Sequence, residues 1–319
     1  MPPPTIDLHQ HLWGRAFVEV LRRRGRAPRL DGWTLYLPDE PPSELDSAEH
    51  DPEARLALEP QDRAIIGLSL SAPLGLEYLP PQEAAPLLEA WHADTAALPA
   101  PFRRWVSVGL VEPDLAAAKQ LLAEDVLGLQ VPATALTTPA ALERIAPLLV
   151  VCEEADRPVL VHPGPTGPLD ADGRSMPRRE LRDTAASRSL PPWWVPVVDY
   201  PAQLQAAWWA WHETGRALLP SLRVCFVAGA GLAPVHHERL AARGGTIRRI
   251  DPDVFVEISS YGRQGVDALV RALGIDVVVL GSDRPWAAPP DVAALGLGEA
   301  AVRAITSTNP TRLLEGGRP

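Results

Sequence analysis

Residues 5–13 read TIDLHQHLW: an apolar stretch that ends in two histidines one residue apart. Side chains at i and i+2 of a strand project to the same side, so His9 and His11 point together from the C-terminal end of a strand. Two imidazoles converging on one spot are poor core material unless they share a ligand, and imidazole is a common ligand of zinc-like ions. The plainer reading, a pair of polar residues finishing a strand with each ring bonded to backbone, stays open on this motif alone.

Working outward from it, eight short β-like runs follow in order: Thr5–Leu8, Ala64–Leu70, Trp105–Leu110, Leu127–Val131, Pro158–Val161, Arg223–Val227, Val254–Ile258 and Val277–Leu280. Several are continuously apolar rather than alternating, the mark of parallel strands covered on both faces. Helix candidates lie between them: Phe17–Arg26, Asp114–Ala123, Pro139–Ala155 behind a Thr138 N-cap, Pro201–Thr214, Gly265–Leu273 and Gly298–Thr306. Regular strand–helix alternation implies a parallel sheet, and eight units allow closure into an α/β (β/α)8 TIM barrel. A doubly wound open sheet is the rival, but no Gly-rich turn follows the first strand to support its nucleotide-binding version. One domain over residues 1–319 is expected, with long loops at about 13–62 and 163–198 that both leave the strand ends where barrel active sites form.

The formal net charge of −10 leaves no basic surplus to neutralise phosphates, so no nucleic-acid partner is expected. No run of 18 or more apolar residues appears, hence no membrane span is expected. The start MPPPTIDLHQHLW lacks a basic n-region and apolar h-region, and Cys152 and Cys225 sit in apolar runs as reduced core residues do. A cytoplasmic location follows as the expectation.

Two further strand ends carry chemistry. In RPVLVHPG, His162 stands where an apolar strand gives way to a Pro-Gly loop; in DVVVLGSDRPW, Asp283 follows the last strand through Gly281 and Ser282. Each has a bland alternative, a single hydrogen bond for the histidine and a turn cap for the aspartate. Taken together, three histidines and one aspartate at strand ends on one barrel face form an N3O donor set for a divalent ion.

With these residues in view, the sequence resembles the amidohydrolase superfamily. The branch it is most similar to is the amidohydrolase-related group containing aminocarboxymuconate-semialdehyde decarboxylase and related decarboxylases and hydrolases. The resemblance rests on His9-x-His11, on VHP at His162 and on GSDRP at Asp283, and it extends to the closing STNPTRLL. It implies that His9, His11, His162 and Asp283 hold one divalent ion, zinc first and manganese or another ion as alternatives. Two departures matter. The branch carries a His-x-Gly-Gly-x-x-Pro pattern after the sixth strand, whose histidine is the acid/base; here the stretch is VAGAGLAPVHHERL, with Ala228 at that place. His236 and His237 are the candidates to reach back in its stead, set against a reading of both as surface helix residues. The bridging lysine of binuclear members is also missing: the only lysine is Lys119, in a helix, and the fourth strand offers Gln130, which favours a single metal.

Around this centre Arg15 and Arg284 are candidates to clamp a substrate carboxylate, and Trp13 and Trp286 to wall an apolar pocket. Surface ion pairs and rim packing are their plainer roles. The Trp-rich segment AAWWAWHE, with Trp208, Trp209 and Trp211, reads as packing or an oligomer contact, and a homodimer is an expectation. The expected function is a mononuclear metal-dependent hydrolase acting on a small carboxylate-bearing or cyclic substrate through metal-activated water, with Asp283 as the remaining general base. A metal-dependent non-oxidative decarboxylase is the alternative, and a catalytically weakened small-molecule-binding barrel stands behind both because of Ala228.

Overall fold

The structure is a computed structural model that describes residues 4–38, 40–166, 191–247 and 250–317. Eight parallel strands run in chain order around one sheet: β1 Thr5–Gln10, β2 Arg63–Leu68, β3 Phe102–Val106, β4 Gly128–Pro132, β5 Val159–His162, β6 Val224–Phe226, β7 Val254–Glu257 and β8 Val278–Val279. Each lies within a few residues of the run read from the sequence. Both faces of these strands are covered, so Leu8, Ile66, Val131, Phe226 and Val279 are all fully buried, as expected of an all-parallel sheet.

Backbone hydrogen bonds between β1 and the chain after β8 close the barrel. Leu8 N–H donates to Leu280 O at 3.0 Å, Asp283 N–H to His9 O at 2.8 Å and His11 N–H to Arg284 O at 2.7 Å. A buried carboxylate pins this seam: Asp7 accepts the His9 and Ser282 N–H groups, each at 3.1 Å, and the Gln10 amide at 2.7 Å. Burial raises its pKa, opposed chiefly by Arg63. The segments bearing His9 and Asp283 are therefore tied by main chain before any side chain meets.

The helices are capped where the sequence indicated. Asp114 accepts Ala117 N–H before helix Leu115–Leu122, and Thr138 Oγ1 accepts Ala141 N–H before helix Pro139–Glu154. The helix expected over Pro201–Thr214 runs Tyr200–Ala210 and continues through a wider turn at Trp211–Gly215. Helices Pro52–Ala57 and Pro81–Ala96 have no counterpart among the expected elements, and the second of them is 16 residues long. Its prolines at 80, 81 and 86 read as breakers, yet Pro81 opens the helix.

The long stretch 13–62 is structured. It contains helix Arg15–Arg23, a three-stranded antiparallel sheet (Arg29–Asp31, Thr34–Tyr36, Ser43–Glu44) and helix Pro52–Ala57. A second apolar cluster holds it down, with Trp13, Phe17, Leu21, Leu30 and Leu35 packed on Leu74 and Trp91. Of the loop expected at 163–198, residues 167–190 lie outside the described residues. Cys152 and Cys225 are both buried and unpaired, as expected.

Candidate metal centre

Strand geometry delivers the expected donors to one point. His9 and His11 close β1, His162 ends β5, and Asp283 follows β8 with a left-handed φ of 57°. Their ligating atoms all lie within 4.8 Å of one another, the one such group among the described residues. The three rings pair edge to face, at centroid distances of 4.9, 5.0 and 5.1 Å. Each histidine is buried, while Asp283, 21 % exposed, opens on a cavity.

Hydrogen bonding decides which nitrogen of each ring faces inward. His11 Nδ1 lies 2.9 Å from Ser69 O, and His162 Nδ1 lies 2.8 Å from Pro163 O. A carbonyl only accepts, so both Nδ1 atoms carry hydrogen and both Nε2 atoms present lone pairs. His9 Nδ1 meets the carboxylate of Glu257 at 3.2 Å in the same manner. What remains at the centre is a set of facing acceptors. His9 Nε2 and His11 Nε2 are 3.1 Å apart, and Asp283 Oδ1 lies 3.1 Å from His11 Nε2 and 3.6 Å from His9 Nε2. Converging lone pairs repel unless a cation or proton lies among them. Tetrahedral bonds of ~2.0–2.1 Å would space such donors about 3.3 Å apart, so the separations among His9, His11 and Asp283 suit a divalent ion, with His162 as the fourth donor in the group.

Electrostatics points the same way. Burial drives His11 and His162 well below the ordinary imidazole range, helped by the neighbouring rings. His9 is the exception: burial lowers it, but Asp283 and Glu257 together outweigh that and raise it. Burial raises Asp283, opposed by His9 and His162.

The cavity above the centre holds about 330 Å³ and is lined by His9, His162 and Asp283 at its floor. Its walls are mainly apolar, with Trp13, Leu35, Leu37, Leu74 and Trp286 among them, and Ser71, Ser259, Tyr200 and Glu40 supply polar groups. Trp13 is buried and fixed by Nε1–H donation to Ser71 Oγ at 3.2 Å and by stacking on His50, ring centroids 5.0 Å apart. Glu40 Oε1 accepts the Thr166 hydroxyl at 3.1 Å and the Tyr200 hydroxyl at 3.4 Å.

Several expected site residues are placed elsewhere. Arg15 is exposed on the first turn of its helix and does not line the cavity, because that helix buries Phe17, Val18 and Leu21 instead. Arg284 turns away from the cavity; its Nε lies 4.0 Å from Glu59. His236 is exposed, and His237 packs against Trp208, Trp209 and His212 in a separate cavity that also contains Val254, the first residue of β7. Neither histidine reaches the gap at Ala228. The reason is local: residues 228–232 all adopt left-handed φ, from 45° at Ala228 to 62° at Leu232, and the turn they form precedes both histidines. The Trp-rich helix packs inward, with Trp208 and Trp211 buried in the main core and Trp209 half-buried. Gln130 is buried on β4, donating to Leu70 O at 2.8 Å.

Sequence reading missed Glu257. It is fully buried at the end of β7, and its Oε2 accepts His9 Nδ1–H, Ala228 N–H at 3.1 Å and the Ser259 hydroxyl at 2.8 Å. The one available signal was an acid closing the apolar run VFVE.

No protein-family model matches the sequence, and no curated protein matches it. Solved structures do. IDCase from Metarhizium anisopliae in apo form superposes with a TM-score of 0.75 at 20% identity, covering 98% of this chain and 97% of that one. A 5-carboxyvanillate decarboxylase from Novosphingobium aromaticivorans, complexed with manganese and 4-hydroxy-3-methoxy-5-nitrobenzoic acid, gives 0.70 at 15% identity over 98% and 96%. The 2,6-dihydroxybenzoate decarboxylase from Rhizobium gives 0.66 at 18% identity over 98% and 99%. Over nearly its whole length, then, this chain shares the (β/α)8 barrel fold of these solved structures, the fold that its run of eight strands led one to expect.

Proposed function

We propose that the chain is a metal-dependent, non-oxidative decarboxylase of a small ring-bearing carboxylic acid. The observation that carries this reading is the convergence of three histidine Nε2 lone pairs and the Asp283 carboxylate on the floor of an apolar cavity. His9, His11, His162 and Asp283 would hold one divalent ion. Zinc suits an N3O set, and manganese, which a decarboxylase of this fold holds, is the other ion to test. When bound, the ion supplies Lewis-acid polarisation of a substrate oxygen.

What favours decarboxylation over hydrolysis is the company of the fold: solved structures that this chain resembles over nearly its whole length include 5-carboxyvanillate and 2,6-dihydroxybenzoate decarboxylases. Ala228 offers only a methyl group and His236 and His237 lie elsewhere, which leaves Asp283 as the proton carrier for either reaction. Decarboxylation needs a proton delivered to carbon and no attacking water. The bond from ring carbon to carboxyl carbon breaks, carbon dioxide leaves, and the electron pair stays on the ring carbon. Asp283, at the floor of the cavity, would take a proton from solvent and pass it to that carbon, returning to its carboxylate form. Apolar walls that exclude water favour conversion of a carboxylate to neutral carbon dioxide. The volume accommodates a single substituted ring between Trp13 and Trp286. The ion would give the substrate carboxylate its counter-charge, and Glu40, Tyr200 and Ser259, which line the cavity, would hydrogen-bond to the ring's other substituents.

The test is carbon dioxide release by zinc- or manganese-loaded protein from a panel of hydroxybenzoic and heteroaromatic carboxylic acids, run in deuterated water. At least one acid should lose its carboxyl group and gain one deuterium on the same carbon, and Asp283→Asn should lower the rate by at least ~100-fold. Hydrolysis of ester or lactone probes with no carbon dioxide from any acid would return the reading to a hydrolase.

A further inference from the structure

We propose that Glu257 is a positioning residue of the metal centre: its carboxylate fixes the tautomer of His9, and the Ala228 backbone is one of the groups that hold it in place. All four contacts of Glu257 are with donors. Oε2 accepts His9 Nδ1–H at 3.2 Å, Ala228 N–H at 3.1 Å and the Ser259 hydroxyl at 2.8 Å, while Oε1 accepts Ser259 N–H. A carboxylate meets this demand with both oxygens; an amide cannot. Whichever way a glutamine amide is turned, its NH2 faces an N–H group, either that of Ser259 or those of His9 and Ala228. Facing the amide nitrogen, His9 would have to move its hydrogen to Nε2 and lose the lone pair that looks at the centre.

The surroundings are shaped around this group. A Cβ on Gly281 would sit 2.5 Å from Glu257 Cδ, so only glycine leaves room for the carboxylate. Ala228 adopts φ 45° and its N–H lands on Oε2. The position where a proton-carrying side chain was expected therefore contributes its main chain to the support of a ligand instead. The acid also adds a negative charge one ring away from the centre, which raises the basicity of His9 as a ligand.

This inference rests on the metal-holding part of the proposed function and not on the reaction, so its test reads metal affinity. Zinc affinity is measured by chelator competition for wild type, Glu257→Gln and Glu257→Asp, with circular dichroism to establish folding and the visible spectrum of cobalt(II)-loaded protein to report ligand geometry. Glu257→Gln is expected to bind zinc ~10- to 100-fold more weakly with an altered cobalt spectrum; Glu257→Asp, which keeps the charge but withdraws the oxygens, should fall between it and wild type. Affinity within threefold of wild type in both variants, with unchanged cobalt spectra, would overturn the proposal. Should the glutamine variant fail to fold, 15N-histidine correlation spectra of zinc-loaded wild type decide the matter: His9 protonated at Nδ1 supports it, and His9 protonated at Nε2 overturns it. Wild type that binds no zinc at all would instead refute the metal reading beneath it, whereas an absence of carbon dioxide release leaves the affinities and the inference standing.

Discussion

His50 offers a sharp test of how the cavity wall is held. Its imidazole lies between two indoles, 5.0 Å from Trp13 at an interplanar angle of 16° and 5.6 Å from Trp33 at 9°. Its Nδ1 accepts the Trp13 backbone N–H at 3.2 Å. Replacing it by alanine would orphan that buried N–H, at ~1–3 kcal/mol, and remove two ring contacts worth ~0.5–1.5 kcal/mol each. Together these losses come to ~2–6 kcal/mol. The site also titrates. Burial, with Arg55 adding to it, lowers His50 from 6.5 to about 4. A histidine whose folded value lies below its unfolded one adds nothing above the unfolded pKa and costs stability as pH falls toward the folded value. Between pH 6.5 and 5 that is 1.5 pH units, or ~2 kcal/mol lost through this residue alone. Urea unfolding at pH 7 and pH 5, followed by circular dichroism, measures both effects. His50→Phe should keep the stacking, lose the acceptor and shed that ~2 kcal/mol of acid sensitivity. A cost for His50→Ala below ~1 kcal/mol, or a pH dependence in His50→Phe equal to wild type, would refute the reasoning.

Three further outcomes are expected. Gly281→Ala should cost ~1–3 kcal/mol through overpacking and weaken metal binding, because its new Cβ collides with Glu257; urea unfolding and chelator competition check the two halves. Ala228→His puts an imidazole where the sequence resemblance implies an acid/base, at a left-handed residue, a conformation histidine tolerates better than most. Hydrolysis of activated ester or lactone probes should rise at least ~10-fold, and an unchanged rate would count against the assignment of that position. Arg15→Ala should leave kcat/KM within about twofold, since surface changes away from the site are near neutral; a loss of ~10-fold or more would put Arg15 back at the substrate.

The parts of the site that could be read from sequence are those whose geometry is local. His9 and His11 share a side because a strand repeats every two residues, and His162 and Asp283 follow apolar runs that end abruptly. Closure of the barrel then brings these three strand ends together without further instruction. Glu257 was invisible because its partner, His9, is 248 residues away and no spacing links them. Arg15 and Arg284 misled because closeness in sequence is not closeness on a face. Arg284 follows Asp283 directly, yet Asp283 sits at φ 57° and its neighbour's side chain approaches Glu59, not the cavity. His236 and His237 failed for the same reason on a larger scale, a left-handed turn intervening between the sixth strand and the helix that carries them. Helix Pro81–Ala96 carries prolines that break a helical pattern in sequence; Pro81 sits at its first turn, where it has no partner to lose, while Pro86 lies inside it.

Metal content of the purified protein tests the central claim most directly. After reconstitution with zinc or manganese and gel filtration, elemental analysis by mass spectrometry should find roughly one ion per chain in wild type and a loss of most of it in His9→Ala and Asp283→Ala. Wild type without stoichiometric metal, or variants that retain as much as wild type, would contradict the account.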